Sequence, residues 1–197
     1  MIAEKVMYSV LLLILCVPLT ASETGFKKGQ CALFAGFSHY QPNDVRTLSG
    51  TGTSGIKASG GFGWFNTEKS MLSLDVGSFS ESQNGQDIDI DSCLFEYTFF
   101  NQNTFERQDF YLYYGCGIGK FDLSWEPYAD GVHYSDTNTG FSLKAGVLHS
   151  MSDKFAIFAE TKFVASKFDG LFPKVGGLDN DVSATDVTYG LGIYYIW

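Results

Sequence analysis

Eight segments in which bulky apolar residues alternate with small or polar residues constrain the fold of this chain more than any other feature. A two-residue period places the two kinds of side chain on opposite faces of a β-strand, whereas a helix would need a period near 3.6. The segments are Gln30–Tyr40, Gly55–Phe65, Met71–Phe79, Ile90–Phe100, Phe110–Leu123, Gly140–His149, Phe155–Ala165 and Asp186–Trp197. The chain is therefore predicted to be all-β.

The connections between these segments alternate in length. The shorter ones are Asn66–Ser70, Asn101–Asp109 and Ser150–Lys154. The mostly longer ones, rich in Gly, Ser, Asn and Asp, are Gln41–Ser54, Ser80–Asp89, Ser124–Thr139 and Ser166–Thr185. Short turns at one end and long loops at the other are typical of an outer-membrane barrel, and a tilted strand of about 9–11 residues crosses a bilayer. We therefore predict an eight-stranded antiparallel up-and-down transmembrane β-barrel, with both termini at the short-turn end.

The two faces of each segment indicate which side meets solvent. In the second segment Ile56, Phe62 and Trp64 share one face, while Lys57 and Ser59 belong to the other. A soluble barrel would bury its apolar face around a ligand and would expose Gly-rich strands to water. With lipid outside, Gly and Ser fill a narrow interior, and closure removes sheet edges that hydrocarbon does not tolerate. We expect the apolar face outside; for the ambiguous first segment we assign Leu33, Ala35 and Phe37 to it.

Aromatic residues gather at the short-turn ends of the segments, where membrane barrels carry an interfacial aromatic belt. Nine residues are assigned to this belt: Trp64, Phe65, Phe99, Phe100, Phe110, Tyr111, Phe155, Tyr195 and Trp197.

Six charged residues fall on the face predicted to line the interior: Lys57, Asp75, Glu96, Lys144, Glu160 and Lys162. Reflecting the sixth segment onto the seventh through a turn at Met151–Ser152 places Lys144 opposite Ala159 or Glu160. Because an unpaired buried charge is very costly, we predict a Lys144–Glu160 ion pair. Such charges favour a plugged lumen over a wide pore.

The N-terminus predicts a cleavable signal peptide over residues 1–22, followed by a single barrel domain over residues 23–197. Lys5 precedes the apolar run Tyr8–Cys16, and small residues at Thr20 and Ser22 favour cleavage after Ser22. The run is too short for a comfortable membrane helix. The formal net charge of −9, without a basic stripe, argues against nucleic acid as a partner.

The second half of the chain resembles the small outer-membrane β-barrel proteins, namely the OmpA-like, OmpX-like and opacity-type porin-like domains. The resemblance is carried by YLYYGCGIGKF, GFSLKAGVLHSMSDKFAIFAETKF and YGLGIYYIW. It implies a tight periplasmic turn at Leu148–Phe155 and an inward acidic residue at Glu160. It also implies that the C-terminal strand, ending in Trp197, is the address read by the barrel-assembly machinery of a Gram-negative outer membrane.

Three motifs suggest chemistry, and none has the required context. The run Gly50–Gly55 matches a dinucleotide fingerprint but has no following helix. Asp87, Asp89 and Asp91 lack the Gly and terminal Glu of a calcium loop, so a solvated acidic rim is expected. A hydrolase could be built from His149, Ser150, Ser152 and Glu160, but His149 and Ser150 belong to opposite faces. We therefore predict no catalytic, cofactor or metal site.

Three cysteines follow the predicted cleavage site: Cys31, Cys93 and Cys116. Reflecting the fourth segment onto the fifth through Thr104–Phe105 sets Cys93 against Cys116, so a bridge is conceivable. Cross-strand bridges are often strained, and a lipid-facing Cys packs well as a small hydrophobe, so free thiols are favoured.

Taken together, these features predict a non-enzymatic outer-membrane protein that acts through its surface loops, in a structural, porin-like or adhesive role. The alternatives are a small solute or ion channel and a lipid A-modifying enzyme. The expected partners are outer-membrane lipid, including lipopolysaccharide, and the assembly machinery that reads Trp197. We expect a monomer.

Overall fold

The computed structural model describes residues 25–40, 54–83, 86–102, 109–126, 133–168 and 182–197. The predicted signal peptide, residues 1–22, lies outside this part of the chain. The eight strands are β1 Cys31–Tyr40, β2 Gly55–Thr67, β3 Ser70–Gln83, β4 Gln86–Gln102, β5 Phe110–Glu126, β6 Tyr134–Ser150, β7 Phe155–Phe168 and β8 Val182–Ile196. Each strand pairs antiparallel with its neighbours in the chain, and β8 pairs with β1 to close the barrel. Among the described residues, no helix is long and apolar enough to cross a membrane.

The strands are strongly staggered around the barrel. Following paired residues from Phe37 through β2, β3, β4 and β5 leads to Thr137 in β6. Following them from Phe37 the other way, through β8 and β7, leads to Val147, ten positions further along the same strand. With ordinary strand spacing and rise, this stagger tilts the strands by about 40°. Eight strands with this tilt enclose an interior that side chains can fill.

The outer surface of the barrel is apolar, as predicted. Phe37, Ile56 and Leu191 are about two-thirds exposed, at 67, 71 and 68 %. All the apolar faces assigned from the sequence point outward, including Leu33, Ala35 and Phe37 of β1. We call this ring of outward side chains the apolar band.

The predicted aromatic belt is confirmed in part. Six of its residues point outward at the short-turn end of the barrel: Trp64, Phe99, Phe110, Phe155, Tyr195 and Trp197. Phe65, Phe100 and Tyr111 are buried inside the barrel instead, because they occupy the opposite parity of their strands.

The interior has three layers, so the expectation that Gly, Ser and six charged residues fill it was incomplete. An upper apolar cluster at the long-loop end contains Tyr40, Phe79, Ile88, Ile90, Leu94, Phe121, Leu123, Trp125, Val164 and Phe168. A lower apolar cluster at the short-turn end contains Phe26, Ala32, Phe34, Phe65, Met71, Phe100, Tyr111, Tyr113, Leu148, Ala156, Tyr194 and Ile196. Buried polar and charged residues form the layer between the two clusters.

Phe26 closes the short-turn end of the barrel from a turn that precedes β1. Its ring lies 4.6 Å from that of Phe65, 5.1 Å from that of Phe100 and 4.8 Å from that of Tyr111. The backbone N–H of Gly29 donates to the Phe65 carbonyl at 2.8 Å, and its φ of 92° suits glycine. The chain before β1 therefore belongs to the interior packing, which the strand pattern did not predict.

The strands at the long-loop end are longer than predicted. β4, β5 and β6 each have 17 residues, where about ten suffice to cross a bilayer. Most of the predicted Ser80–Asp89 loop is strand, since β3 continues to Gln83 and β4 begins at Gln86. Residues 78–83, 86–91, 122–126 and 134–137 thus form a four-stranded sheet above the apolar band. We call it the outer extension; with the tilt derived above it rises by about 15 Å.

Candidate functional site

The middle layer of the lumen is an ion network centred on Glu96 in β4. The Nζ of Lys144 lies 2.5 Å from Glu96 Oε2, and the Ser142 hydroxyl donates to Glu96 Oε1 at 3.0 Å. The Nζ of Lys162 in β7 also lies 3.0 Å from Glu96 Oε1. One carboxylate therefore joins strands β4, β6 and β7 from inside, with no side-chain exposure of its own.

Lys162 extends this network to two further carboxylates. Its Nζ lies 2.5 Å from Asp75 Oδ2 and 3.7 Å from Glu160 Oε1. The hydroxyl of Tyr113 donates to Glu160 Oε2 at 3.1 Å, so Glu160 is held from both sides. A buried charge persists only where partners and hydrogen bonds compensate its desolvation, and this arrangement supplies both.

Lys57 is the third luminal lysine, and it is satisfied differently. Its Nζ donates to the Ser92 hydroxyl at 2.8 Å and lies 5.4 Å from the centre of the Tyr40 ring. The six inward charges predicted from the sequence are therefore all confirmed as luminal.

The predicted Lys144–Glu160 pair is wrong. Lys144 pairs with Glu96, and its neighbour across the strand is Lys162 rather than Glu160. The error lies in the turn: Ser150 still pairs with Ala156, so the turn is centred on Asp153 and not on Met151–Ser152. The Glu96 carboxylate lies between Lys144 and Lys162, so its negative charge offsets the repulsion between these two lysines on adjacent strands.

The lumen is narrow at the level of the network. A cavity of about 30 Å³ is lined by Lys57, Asp75, Glu160, Lys162 and Thr188, among others. That space has room for only a few water molecules. The apolar clusters lie above and below it.

The residues considered for a hydrolase do not assemble into a nucleophile and base. His149 stacks on Phe110 with ring centres 4.3 Å apart, and its Nδ1 lies 3.3 Å from Asp109 Oδ2. The Ser150 hydroxyl donates to the Ser152 carbonyl, and Glu160 belongs to the luminal network. Asp109 is a partner of His149 that sequence reasoning missed, because it precedes β5 and does not belong to the β6–β7 turn.

The other two motifs do not form sites in the described structure either. Asp87, Asp89 and Asp91 point outward from the outer extension, and no metal-binding group of three or more His, Cys, Asp or Glu occurs among the described residues. Of the run Gly50–Gly55, residues 50–53 lie outside the described part.

The predicted register of β4 and β5 is also wrong. Cys93 pairs with Lys120 and Cys116 with Tyr97, so the two cysteines are not opposite each other. β4 continues to Gln102, which moves the centre of the connection by two residues and the register by four. Cys31, Cys93 and Cys116 are all free thiols.

The outer extension has an acidic outer face. Its outward side chains include Asp87, Asp89, Asp91, Asp122 and Glu126. Asp91 lies opposite Asp122, and Asp87 opposite Glu126, so like charges meet across β4 and β5. On the inner side, the pKa of Glu81 is raised by partial burial. A hydrogen bond with the backbone of Ser54 offsets part of this rise.

This architecture, with a closed eight-stranded barrel, an apolar outside and an ionic interior, is the fold of small outer-membrane β-barrels. Neisserial surface protein A is 12 % identical, with a TM-score of 0.65 over 85 % of this chain and 99 % of that one. The N-terminal barrel of Pseudomonas aeruginosa OprF is 14 % identical, with a TM-score of 0.56 over 86 % of this chain and 98 % of that one. Ail, the attachment invasion locus protein of Yersinia pestis, was solved with the heparin analogue sucrose octasulfate; it is 14 % identical, with a TM-score of 0.54 over 86 % and 99 %.

No family model matches the chain, and no curated protein sequence matches it significantly. At these identities the likeness to solved structures establishes the fold. The resemblance inferred from the sequence is thereby confirmed at the level of the barrel class.

Proposed function

We propose that this chain is a non-enzymatic outer-membrane protein, in which the barrel anchors the outer extension at the cell surface. The observation that carries the proposal is the inverted arrangement of the barrel. Large apolar side chains such as Phe37, Ile56 and Leu191 are exposed outside, while Glu96, Lys144 and Lys162 are enclosed. In water this arrangement would expose a large apolar surface, which is unfavourable, whereas the hydrocarbon of a bilayer solvates that surface.

The proposed orientation places the short-turn end in the periplasm and the outer extension outside the cell. The outward aromatic residues at the short-turn end suit a membrane interface. The polar face of the extension suits water. Secretion by a signal peptide over residues 1–22 is part of the same proposal.

A structural or adhesive role is better supported than a channel. Apolar clusters pack the described lumen at both ends of the ion network, which itself leaves about 30 Å³. The protein reconstituted in planar bilayers is therefore expected to give no stable single-channel conductance. Regular conductance steps from the purified protein would favour the porin-like alternative.

The adhesive role draws on the outer extension. Ail is named as an attachment protein, and its structure contains the heparin analogue sucrose octasulfate. Its similar barrel supports the proposal of an adhesive role for this chain. Here the outward carboxylates Asp87, Asp89, Asp91 and Asp122 oppose polyanionic ligands, so the loop partner is expected to differ in charge from that analogue.

The barrel-assembly machinery is proposed to read the C-terminal strand through Trp197. Trp197 and Cys31 exchange two backbone hydrogen bonds of 3.0 and 2.9 Å at the seam between β1 and β8. Deleting Trp197 should reduce the inserted fraction, while Trp197→Phe should retain most of it. Equal insertion of the deletion variant and the wild type would refute this role.

Two measurements test the proposed function itself. Folded barrels resist unheated detergent, so the purified protein should migrate differently on gels before and after boiling. In a cysteine-free background, Ser135→Cys in the extension should react with an impermeant maleimide on intact cells. Ser152→Cys in the β6–β7 turn is the matched control and should react only after permeabilisation. Labelling of Ser152→Cys on intact cells, or recovery of the protein in the soluble periplasmic fraction, would overturn the proposal.

A further inference from the structure

Two lysines and a threonine stand side by side at the upper edge of the apolar band. Lys120 in β5 pairs with Thr139 in β6. Lys167 in β7 follows Ser166, which pairs with Gly140, and its backbone carbonyl accepts a hydrogen bond from the Asn138 side chain. Lys167 therefore lies beside Thr139, on the side opposite Lys120. All three side chains are exposed on the outer face of the barrel.

The height of this row is fixed by the residues beneath it. Two positions below Lys120 and Thr139, on the same face, lie Ile118 and Phe141, which are 60 and 47 % exposed and belong to the apolar band. The residue two positions below Lys167 is Ala165. Lysine side chains just beyond an apolar surface lay their methylenes along it and hold the ammonium group at its polar edge. The row therefore lies where hydrocarbon gives way to headgroups.

The charge of the row differs from everything around it. Among the described residues, Lys120 and Lys167 are the only outward-facing Lys or Arg side chains above the apolar band. The next row above contains Asp91 and Asp122, which face each other across β4 and β5. The row climbs with the strand tilt from Lys120 to Lys167, and these carboxylates border it on the β4 side, so the positive charge forms one small patch at the rim of the apolar band.

The spacing suits a single tetrahedral anion. Lys120 and Lys167 are separated by one strand, which is about 10 Å between their backbones. Two long side chains can converge from that separation on a group above the Thr139 hydroxyl. Ammonium groups and hydroxyls are ordinary phosphate donors, and each lysine near an anionic membrane surface contributes measurably to binding.

We propose that Lys120, Thr139 and Lys167 form a site for the phosphate group of a membrane lipid whose acyl chains lie against the apolar band. This inference rests on the proposed membrane location and adds to it the headgroup chemistry. The lipid is the source of the phosphate, because the apolar band continues directly below the row and supplies the surface that acyl chains would cover.

The test compares lipids that differ only in phosphate. The purified full-length protein in neutral detergent is titrated with diphosphoryl lipid A or with its dephosphorylated counterpart, in the presence of a chelator, and adducts are measured by native mass spectrometry. The wild type should favour the phosphorylated lipid. Lys120→Gln/Lys167→Gln should bind it about tenfold or more weakly and lose the preference.

The control removes the same charge elsewhere. Lys28→Gln/Lys154→Gln changes two exposed lysines at the short-turn end and should retain the wild-type preference. Equal losses in both double variants, equal binding of the two lipids by the wild type, or displacement of the lipid by equimolar inorganic phosphate would each overturn the site. Gel heat-modifiability of the same variants reports separately on the barrel, so failure of this inference is distinguishable from failure of the proposed function.

Discussion

The ammonium nitrogen of Lys144 lies 2.5 Å from Glu96 Oε2, although the two residues are 48 positions apart in the chain. Both side chains are enclosed in the lumen, and Lys162 approaches the same carboxylate. Replacing Glu96 by Gln keeps the shape but removes the counter-charge of Lys144, while Lys162 keeps Asp75 and Glu160. We expect Glu96→Gln to lower the free energy of unfolding by about 3–5 kcal/mol, measured by urea titration in detergent micelles.

The control for this variant is Asp153→Asn, in the exposed β6–β7 turn, which should change stability by less than about 0.5 kcal/mol. Adding Lys144→Met to Glu96→Gln should recover part of the loss, because the charge left without its partner is then removed. Strictly additive losses would contradict the direct pairing of Lys144 with Glu96.

Phe26 should stabilise the barrel although it precedes the first strand. Its side chain is 6 % exposed and contacts aromatic rings of β2, β4 and β5. Truncation to Ala leaves a cavity in the lower apolar cluster and should cost about 3–5 kcal/mol. Phe155→Ala removes an outward ring, 50 % exposed, at the same end of the barrel and should cost less. If the two variants were equally stable, Phe26 would not be a packed interior residue.

Two glycines of the barrel wall should respond differently to the same substitution. A Cβ on Gly119 would clash with the backbone carbonyl of Cys93 and approach the Leu94 Cα to 2.7 Å, and backbone moves little. The three atoms nearest to a Cβ on Gly63 all belong to the Met71 side chain, with an overlap at its Sδ and its Cε at 3.1 Å, and methionine repacks readily. Gly119→Ala is expected to cost about 1–3 kcal/mol and to exceed Gly63→Ala in thermal melts followed by gel shift. The reverse order would show that the Gly119 backbone is freer than its contacts indicate.

The three described cysteines should all react as thiols. Cys93 lies beside Lys120 and Cys116 beside Tyr97, so the pairing does not bring the two sulfurs together. Alkylation in denaturant without a reductant should add three labels to Cys31, Cys93 and Cys116, as counted by intact mass and peptide mapping. A single label, mapped to Cys31, would reveal a Cys93–Cys116 bridge and would refute the register of β4 and β5.

The strands and their outward faces could be predicted because alternation is a local property. Ile56, Phe62 and Trp64 identify the outward face of β2 without reference to any other strand. The outer extension had a comparable signal in the alternation of Ile88 and Ile90 with aspartates, but a polar outward face was interpreted as a loop.

Pairing between strands was less predictable, because a turn centre displaced by one residue changes the register by two. The turn after β6 is set by backbone hydrogen bonds from Met151 and Ser152 to the Phe155 carbonyl, and neither residue type signals them. For this reason the luminal charges were identified correctly while the partner of Lys144 was not. Phe26 could not be predicted from alternation, because it precedes the first strand. Its position depends on its packing against Phe65, Phe100 and Tyr111, which are distant in the chain.

The position of Phe26 also has a consequence for the order in which the molecule forms. Phe26 is synthesised before any strand, yet its ring contacts belong to β2, β4 and β5. It cannot reach them until more than half of the chain has been made and at least five strands are available. Contacts between such distant parts of a chain form slowly, because a long loop must close before they are gained. Docking of this side chain is therefore a late event of assembly, and its burial would report that the preceding steps are complete.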